Sequence, residues 1–378
     1  MGRLVVIALA ALLVAGCAGA TPAEPGGPTG TASDGPPPGL VGVRNAAVTV
    51  ACSNEGLSGP WSFTIAATDA SSGAPVRELR FTLPKGTEPA FPCADGRGNV
   101  ASAGLVPSYA FRQVFDADFR KIAVTSSDAR TSGRRVGVLD IATGQVTDLS
   151  PARSDFAAAP QDHSAVFADD GRVWFASDTT RTVTSVAPDG SGLRDEGPTG
   201  YTNGVAMLGS GDLGLVVAPR SHTAFALAAG GDGFVAPSPD GSVFASVEQA
   251  PLTGESGPLE LRRSEDDGGS AVPLSGDFGR VERWVDGTRL LGVASAGQGT
   301  TITLAELGPG RRAATARSIT PATDRYNASP VASPDGSSVM FLSFRANRAA
   351  LYRVPIGGGE PVVVAPDVAT SNYLLEWR

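Results

Sequence analysis

Lysine is almost missing from this 378-residue chain, with Lys85 and Lys121 the only two, so arginine carries nearly all of its positive charge. Histidine is as scarce, at His163 and His222, and cysteine stops at Cys17, Cys52 and Cys93. Apart from the extreme N-terminus, no apolar run is both long enough and free enough of Gly and Pro to cross a bilayer. Long helices are excluded too, because 48 glycines and 29 prolines interrupt the chain while only 18% of it is charged. A β-rich fold with a large core is what remains.

The missing motifs exclude chemistry in the same way. There is no H-E-x-x-H, zinc-ligand spacing, P-loop or dinucleotide fingerprint. No serine has the G-x-S-x-G spacing of a nucleophile elbow. The sequence therefore assigns no catalytic residue, no metal site and no cofactor, and the two histidines read as polar edge residues, His163 between repeats and His222 at the start of a strand. A net charge of −8 with scattered arginine pairs offers no basic stripe for nucleic acid. Arg262-Arg263, the densest pair, is followed by Glu265, Asp266 and Asp267, whose charge cancels its field.

What is present begins with an address. MGRLVVIALAALLVAGC places Arg3 before an apolar run from Leu4 to Ala15 and small residues before Cys17. The run is too short for a comfortable transmembrane helix and matches a bacterial lipoprotein signal over residues 1–16. Cleavage before Cys17 would leave a lipidated cysteine, and since each chain contributes about 0.8 kcal/mol per buried methylene, two or more chains would hold the protein on the extracytoplasmic side of the cell membrane. Residues 17–40 are rich in Pro and Gly and read as a disordered tether. The two remaining cysteines, Cys52 and Cys93, are expected to form a disulfide, worth about 4 kcal/mol by loop-closure entropy.

Residues 41–378 carry a repeat. VASPDGSSVMFLSF (331–344) and VAPSPDGSVFASVE (235–248) share a Ser-Pro-Asp-Gly turn between two apolar strands, and looser copies are FDADFRKIAVTSS, FADDGRVWFASD, LGSGDLGLVVAP and RWVDGTRLLGVAS. A variable loop, a third strand and a short fourth follow, as in VGVLDIATGQVTDLS and ALYRVPIGGGEPVVV. Four strands at a period of roughly forty to fifty residues predict the blades of a β-propeller. The chain ends fit together: SNYLLEWR supplies the first strand that the opening copy, NAAVTVACS onward, lacks. The expected architecture is an all-β ring of seven four-stranded blades: 45–84 with 372–378, then 108–150, 160–197, 201–231, 233–275, 279–320 and 326–366. Six blades result if the short 201–231 copy is only a loop. Residues 85–107 read as an insertion.

SPDGSSVMFLSFRANRAALYRVPIGGGEPVVV resembles the TolB-type β-propeller repeat, with two good copies and weaker ones across the rest of the domain. The resemblance implies extracytoplasmic protein binding. Where TolB carries an N-terminal domain, this chain carries the tether.

Asp118, Asp170, Asp240, Asp286 and Asp335 recur at the repeat's turn and would ring one face, either as a polar rim or as caps of their own turns. Trp61, Trp174, Trp284 and Trp377 fall in predicted strands and are expected to pack between blades. Asn327-Ala328-Ser329 fits a glycosylation sequon that a bacterial signal makes idle. The functional expectation is a membrane-anchored scaffold that binds a protein, peptide or cell-envelope component at one propeller face. Two other classes stay open: a hydrolase or lyase with acids around the central channel, and an accessory subunit of a membrane sensor or transporter.

Overall fold

The computed structural model describes residues 39–54, 60–89, 107–128, 133–150, 161–177, 180, 182–197, 212–218, 220, 222, 224–228, 236–249, 256–263, 272–345, 348–368 and 373–378. β1 (Ala46–Asn54), β2 (Trp61–Asp69) and β3 (Pro75–Thr82) form an antiparallel meander. β4 (Thr87–Pro89) begins the second sheet, which continues after helix α1 (Ser108–Arg112) with β5 (Lys121–Asp128), β6 (Gly133–Asp140) and β7 (Val146–Asp148). The third holds β8 (Asp162–Phe167), β9 (Val173–Ser177), β10 (Thr182–Val186) and β11 (Arg194–Gly197). β12 (Asp212–Val217) and β13 (Ala224–Ala228) then pair only with each other.

The fourth multi-stranded sheet is β14 (Ala236–Pro237), β15 (Val243–Gln249) and β16 (Ser256–Arg263). In the fifth, β17 (Leu274–Ser275) lies parallel to β21 (Ala314–Ser318), outside β18 (Arg280–Trp284), β19 (Arg289–Ala296) and β20 (Gly299–Leu307). β22 (Tyr326–Ala332), β23 (Ser338–Arg345), β24 (Arg348–Pro355) and β25 (Val362–Ala365) make the sixth. β26 (Tyr373–Trp377) returns to β1, giving the first sheet the order β26-β1-β2-β3.

The protein is therefore a β-propeller whose ring is closed by its last strand, as the repeat pattern predicts. The blade count is corrected from seven to six. Among the described residues the 201–231 copy supplies only the two-stranded β12–β13 hairpin, wedged between the third and fourth blades. Residues 85–107 are not wholly an insertion either, because β4 is the inner strand of the second blade. The stretch expected to open that blade instead forms α1 and a turn that touches β5 at Phe115 and Ile122.

Cores lie between blades, as stacked sheets require. Ala123, Val136 and Val138 of the second blade meet Ala165, Val173 and Phe175 of the third. Leu291, Val293, Ile302 and Leu304 of the fifth meet Val339, Phe341 and Val354 of the sixth. Met340, Leu342 and Leu351 of the sixth pack against Ala47 and Leu374 of the first, so the closing strand is also a packing surface. Its register is Ala47 to Trp377 and Val50 to Tyr373, and Ala46 and Arg378 exchange backbone bonds of 2.8 and 2.9 Å. Tyr373, Leu374 and Leu375 are fully buried.

The recurrent turns follow from their residues. Asp240 Oδ1 accepts from the Ser238 hydroxyl at 2.6 Å and from the Ser242 N–H and hydroxyl, while Gly241 takes φ 67°. Asp335 does the same with Ser333 and Ser337 around Gly336, also at φ 67°. Only glycine holds that backbone without strain. Asp286 accepts from the Thr288 and Arg289 N–H groups and Asp170 from that of Arg172. In the second blade the cap is Asp116, two residues from the expected Asp118.

Two outcomes follow. Leu374→Ala should lower stability by about 2–5 kcal/mol in denaturant titration, because it empties a filled inter-blade site. Val362→Ala, at a position 59% exposed, should change it by less than about 0.5 kcal/mol. The turns also set an acid limit. Burial alone would raise the Asp240 carboxyl, but the Arg311 guanidinium and the Ser238 and Ser242 hydroxyls hold it well below the usual range. The Ser333 hydroxyl, then Ser337, hold Asp335 at about 2. Depressed folded values mean stabilisation that is complete above the unfolded pKa, about 3.9, and lost as pH falls through the folded one. Melting temperature should thus drop on acidification from about pH 4 to 2, and the double variant Asp240→Asn/Asp335→Asn should melt lower at neutral pH with a flatter acid slope.

Candidate functional site

Helix α1 has five residues, follows Pro107 and lacks a side-chain cap, so it is too short to persist alone and is held by what it touches. Phe111 stacks on Tyr373 of the closing strand at 4.7 Å between centroids. The Gln113 side chain exchanges bonds of 2.6 and 3.0 Å with the Val217 backbone of β12, and its carbonyl accepts from Phe167 N–H of β8 at 2.6 Å. Tyr109 packs against the core shared by the fourth and fifth blades. Burial, reinforced by the Glu282 carboxylate, pushes its phenol above the usual range. A segment that reaches inner strands of the first, third and fifth blades lies across the ring axis. α1 is a plug.

Above this plug a cavity of about 400 Å³ is lined by residues from the first five blades and the β12–β13 hairpin. Phe115, Phe167, Val217, Pro237 and Trp284 supply apolar wall; Arg112, Arg283, Glu376 and Asp169 supply charge. Its volume falls in the range of small-ligand sites. Three of the four charged groups are already engaged. Arg112 donates to Glu376, to the Phe115 and Asp116 carbonyls at 3.0 and 3.1 Å and to Ala117 O at 3.3 Å, and lies 4.4 Å over the Phe119 ring. Glu376 also meets Arg378 at 2.9 Å. Asp169 contacts His222 Nε2 at 2.5 Å. Two acids of inner strands are fully buried, Asp162 of β8 and Glu282 of β18, and Glu282 is paired with Arg280.

The recurring aspartates do sit at one rim, the rim where this cavity opens, but they are consumed as turn caps. Asp118 is the exception, standing 4.0 Å from Arg378. His163 lies within β8, not between repeats, with Nδ1 2.9 Å from the Ser164 hydroxyl. His222 precedes the second strand of the hairpin. Trp284 meets its packing expectation, donating Nε1–H to Ala236 O at 2.7 Å across blades, and adds a face to the cavity. Trp174 is buried in β9, whereas Trp61 and Trp377 are half-buried at the start of β2 and the end of β26. Asn327 is buried and its side-chain amide donates to Thr300 O, so the sequon is closed to modification. Cys52 is buried in β1; Cys17 and Cys93 lie outside the described residues.

Sequence reasoning missed Arg112, Arg283 and Glu376 as neighbours. One signal for two of them exists: each precedes a tryptophan at the end of an inner strand, in VERWVDG and LLEWR. Matched repeat positions converge on the axis.

No family model matches the chain, and no curated protein matches it. Solved structures similar to it include TolB from Acinetobacter baumannii, at 13% identity over 86% of this chain and 70% of that one, with TM-score 0.36. The β-propeller domain of the Trilobed protease from Pyrococcus furiosus gives 9% identity, 85% and 99% coverage and TM-score 0.41. An oligogalacturonate lyase in complex with manganese gives 10%, 85%, 74% and 0.39. TolB is thus among the propellers this chain is similar to, and the propeller assignment itself stands on the chain's own strand order.

Proposed function

We propose that the protein is a binding module whose axial cavity receives part of a protein, peptide or cell-envelope ligand at one face of the ring. The observation that carries this reading is the plugged axis. α1 turns what would be a channel into a blind, preformed recess with mixed apolar and charged walls, as recognition sites are built. Two inner-strand acids support binding over hydrolysis or elimination, since Glu282 and Glu376 are each matched by arginine, an arrangement suited to holding shape.

The N-terminal address completes the reading. Cys17 anchors the chain by lipid on the extracytoplasmic side, Cys52 and Cys93 form the disulfide, and the tether joins the propeller at the cavity's own rim. Leu40 is fully buried there and its N–H donates to Asp118 O at 2.6 Å. Gly39 passes so close that a Cβ would stand 2.3 Å from Asp118 O.

A photo-reactive residue at Ala117 should give a discrete crosslinked product in intact membranes, lost when Trp284→Ala is added, while the same probe at Val362 should give none. Equal yields from rim and outer edge would sink the reading. A Cys17→Ala chain should leave the detergent-extracted membrane fraction; its retention there would contradict the lipid anchor.

A further inference from the structure

Four charged side chains line the cavity, two of each sign, and they are not equally engaged. Arg112, Glu376 and Arg378 form one connected group, Asp169 contacts His222, and Arg283 is the lining charge without an ion-pair partner among the described residues. A guanidinium has five N–H donors. Arg283 gives one hydrogen bond, to Leu375 O at 2.5 Å, and among the described residues no acidic side chain is paired with it and no other acceptor takes its remaining donors. Burial holds its pKa down to about 10, with Glu376 countering and Arg112 adding to that shift, so it remains a cation at neutral pH, held at an energetic cost.

Its placement is built. The β18–β19 ladder slips between Val281 and Arg283, leaving Glu282 as an extra residue, and a bulge of this kind re-aims the side chains around it. Arg283 therefore lines the cavity while Glu282 turns to Arg280. Trp284, fixed by its bond to Ala236 O, stands beside it, and Phe115 and Phe167 contribute apolar wall.

We propose that this recess recognises a single carboxylate attached to an apolar body, with Arg283 receiving the carboxylate and the aromatic and proline walls receiving the body. A planar two-oxygen acceptor matches the guanidinium fork. A monoanion supplies the one ion-pair partner that Arg283 lacks, whereas a dianion such as phosphate would place surplus negative charge beside Glu376 and Asp169. Both a peptide chain end and a free small acid have this chemistry. The inference rests on the cavity being the ligand site and adds the ligand's class.

The test uses the full-length protein in mild detergent and three probes: N-acetyl-Ala-Ala-Phe with a free carboxylate, the same peptide as its carboxamide, and phenylacetate. Calorimetric titration should show the free acid binding at least tenfold tighter than the amide. Arg283→Met should abolish that preference and, with no probe present, melt no lower than the parent, since it removes a buried cation that has no ion-pair partner. Arg283→Lys should keep part of the preference. Much tighter binding of the peptide acid than of phenylacetate identifies a chain end as the source; comparable binding identifies a free acid. Equal affinity for acid and amide, a preference that survives in Arg283→Met, failure of all three probes to bind, or an Arg283→Met protein that unfolds would each overturn the inference. The crosslinking outcome at Ala117 is independent: a carboxylate preference without a membrane partner leaves this inference standing and removes the macromolecular ligand.

Discussion

Everything in this ring presupposes that β26 finds β1. The Arg378 side chain bonds to Leu40 O across 338 positions of sequence. Closing a loop of that length costs about 5 kcal/mol in chain entropy. Burying Tyr373, Leu374 and Leu375 contributes about 1.5–3 kcal/mol each, so strand burial and closure are of similar size. The last residue tilts the balance. Arg378 exchanges backbone bonds with Ala46, donates to Ala117 O at 2.7 Å and pairs with Glu376, tying closing strand, tether junction and second-blade turn into one knot. Cavity floor and ring closure are thus made of the same residues.

The scarcity of lysine acquires a physical sense at the blade edges. Arg311 crosses from the fifth blade to Asp240 in the fourth, Arg289 reaches from the fifth to Gly336 O in the sixth, and Arg317 spans to the carbonyls of Ile356 and Gly357. Each joins two blades through several donors of one planar group. A lysine could fill one of those positions with a point charge but could not hold two acceptors in fixed directions. Composition alone does not reveal this, because it needs the neighbouring blade.

What was legible in the sequence is what is local. Asp and Gly shape their own turn whatever surrounds them, so the repeat, the turn-capping role of Asp240, Asp286 and Asp335, and the matching chain ends could be read directly. The blade count was not, because LGSGDLGLVVAP has the strands of a blade, and whether two strands gain more depends on the sheets beside them. Helix α1 was missed for a related reason: SYAFRQVF does space Ala110/Val114 and Phe111/Phe115 four apart, but so short a segment holds a helix only through contacts with distant inner strands. The cavity was the least legible. Arg112, Arg283 and Glu376 come from α1 and two separate blades, and only the last two share a signal, each preceding a tryptophan.

The plug makes the two faces of the propeller inequivalent. An open channel would expose the inner strands to both sides and let a ligand thread; with α1 across it, a ligand of the recess would enter and leave at one rim. Arg112 and Glu376 are locked into α1 and β26, so the floor keeps its form whether or not the recess is filled, and little ordering remains to oppose binding. Arg283 departs from this self-sufficiency. A fold that ties Arg112, Glu282 and Glu376 into ion pairs and leaves one buried guanidinium outside them accepts a loss of stability at that point, and local rules tend to be broken where function requires it.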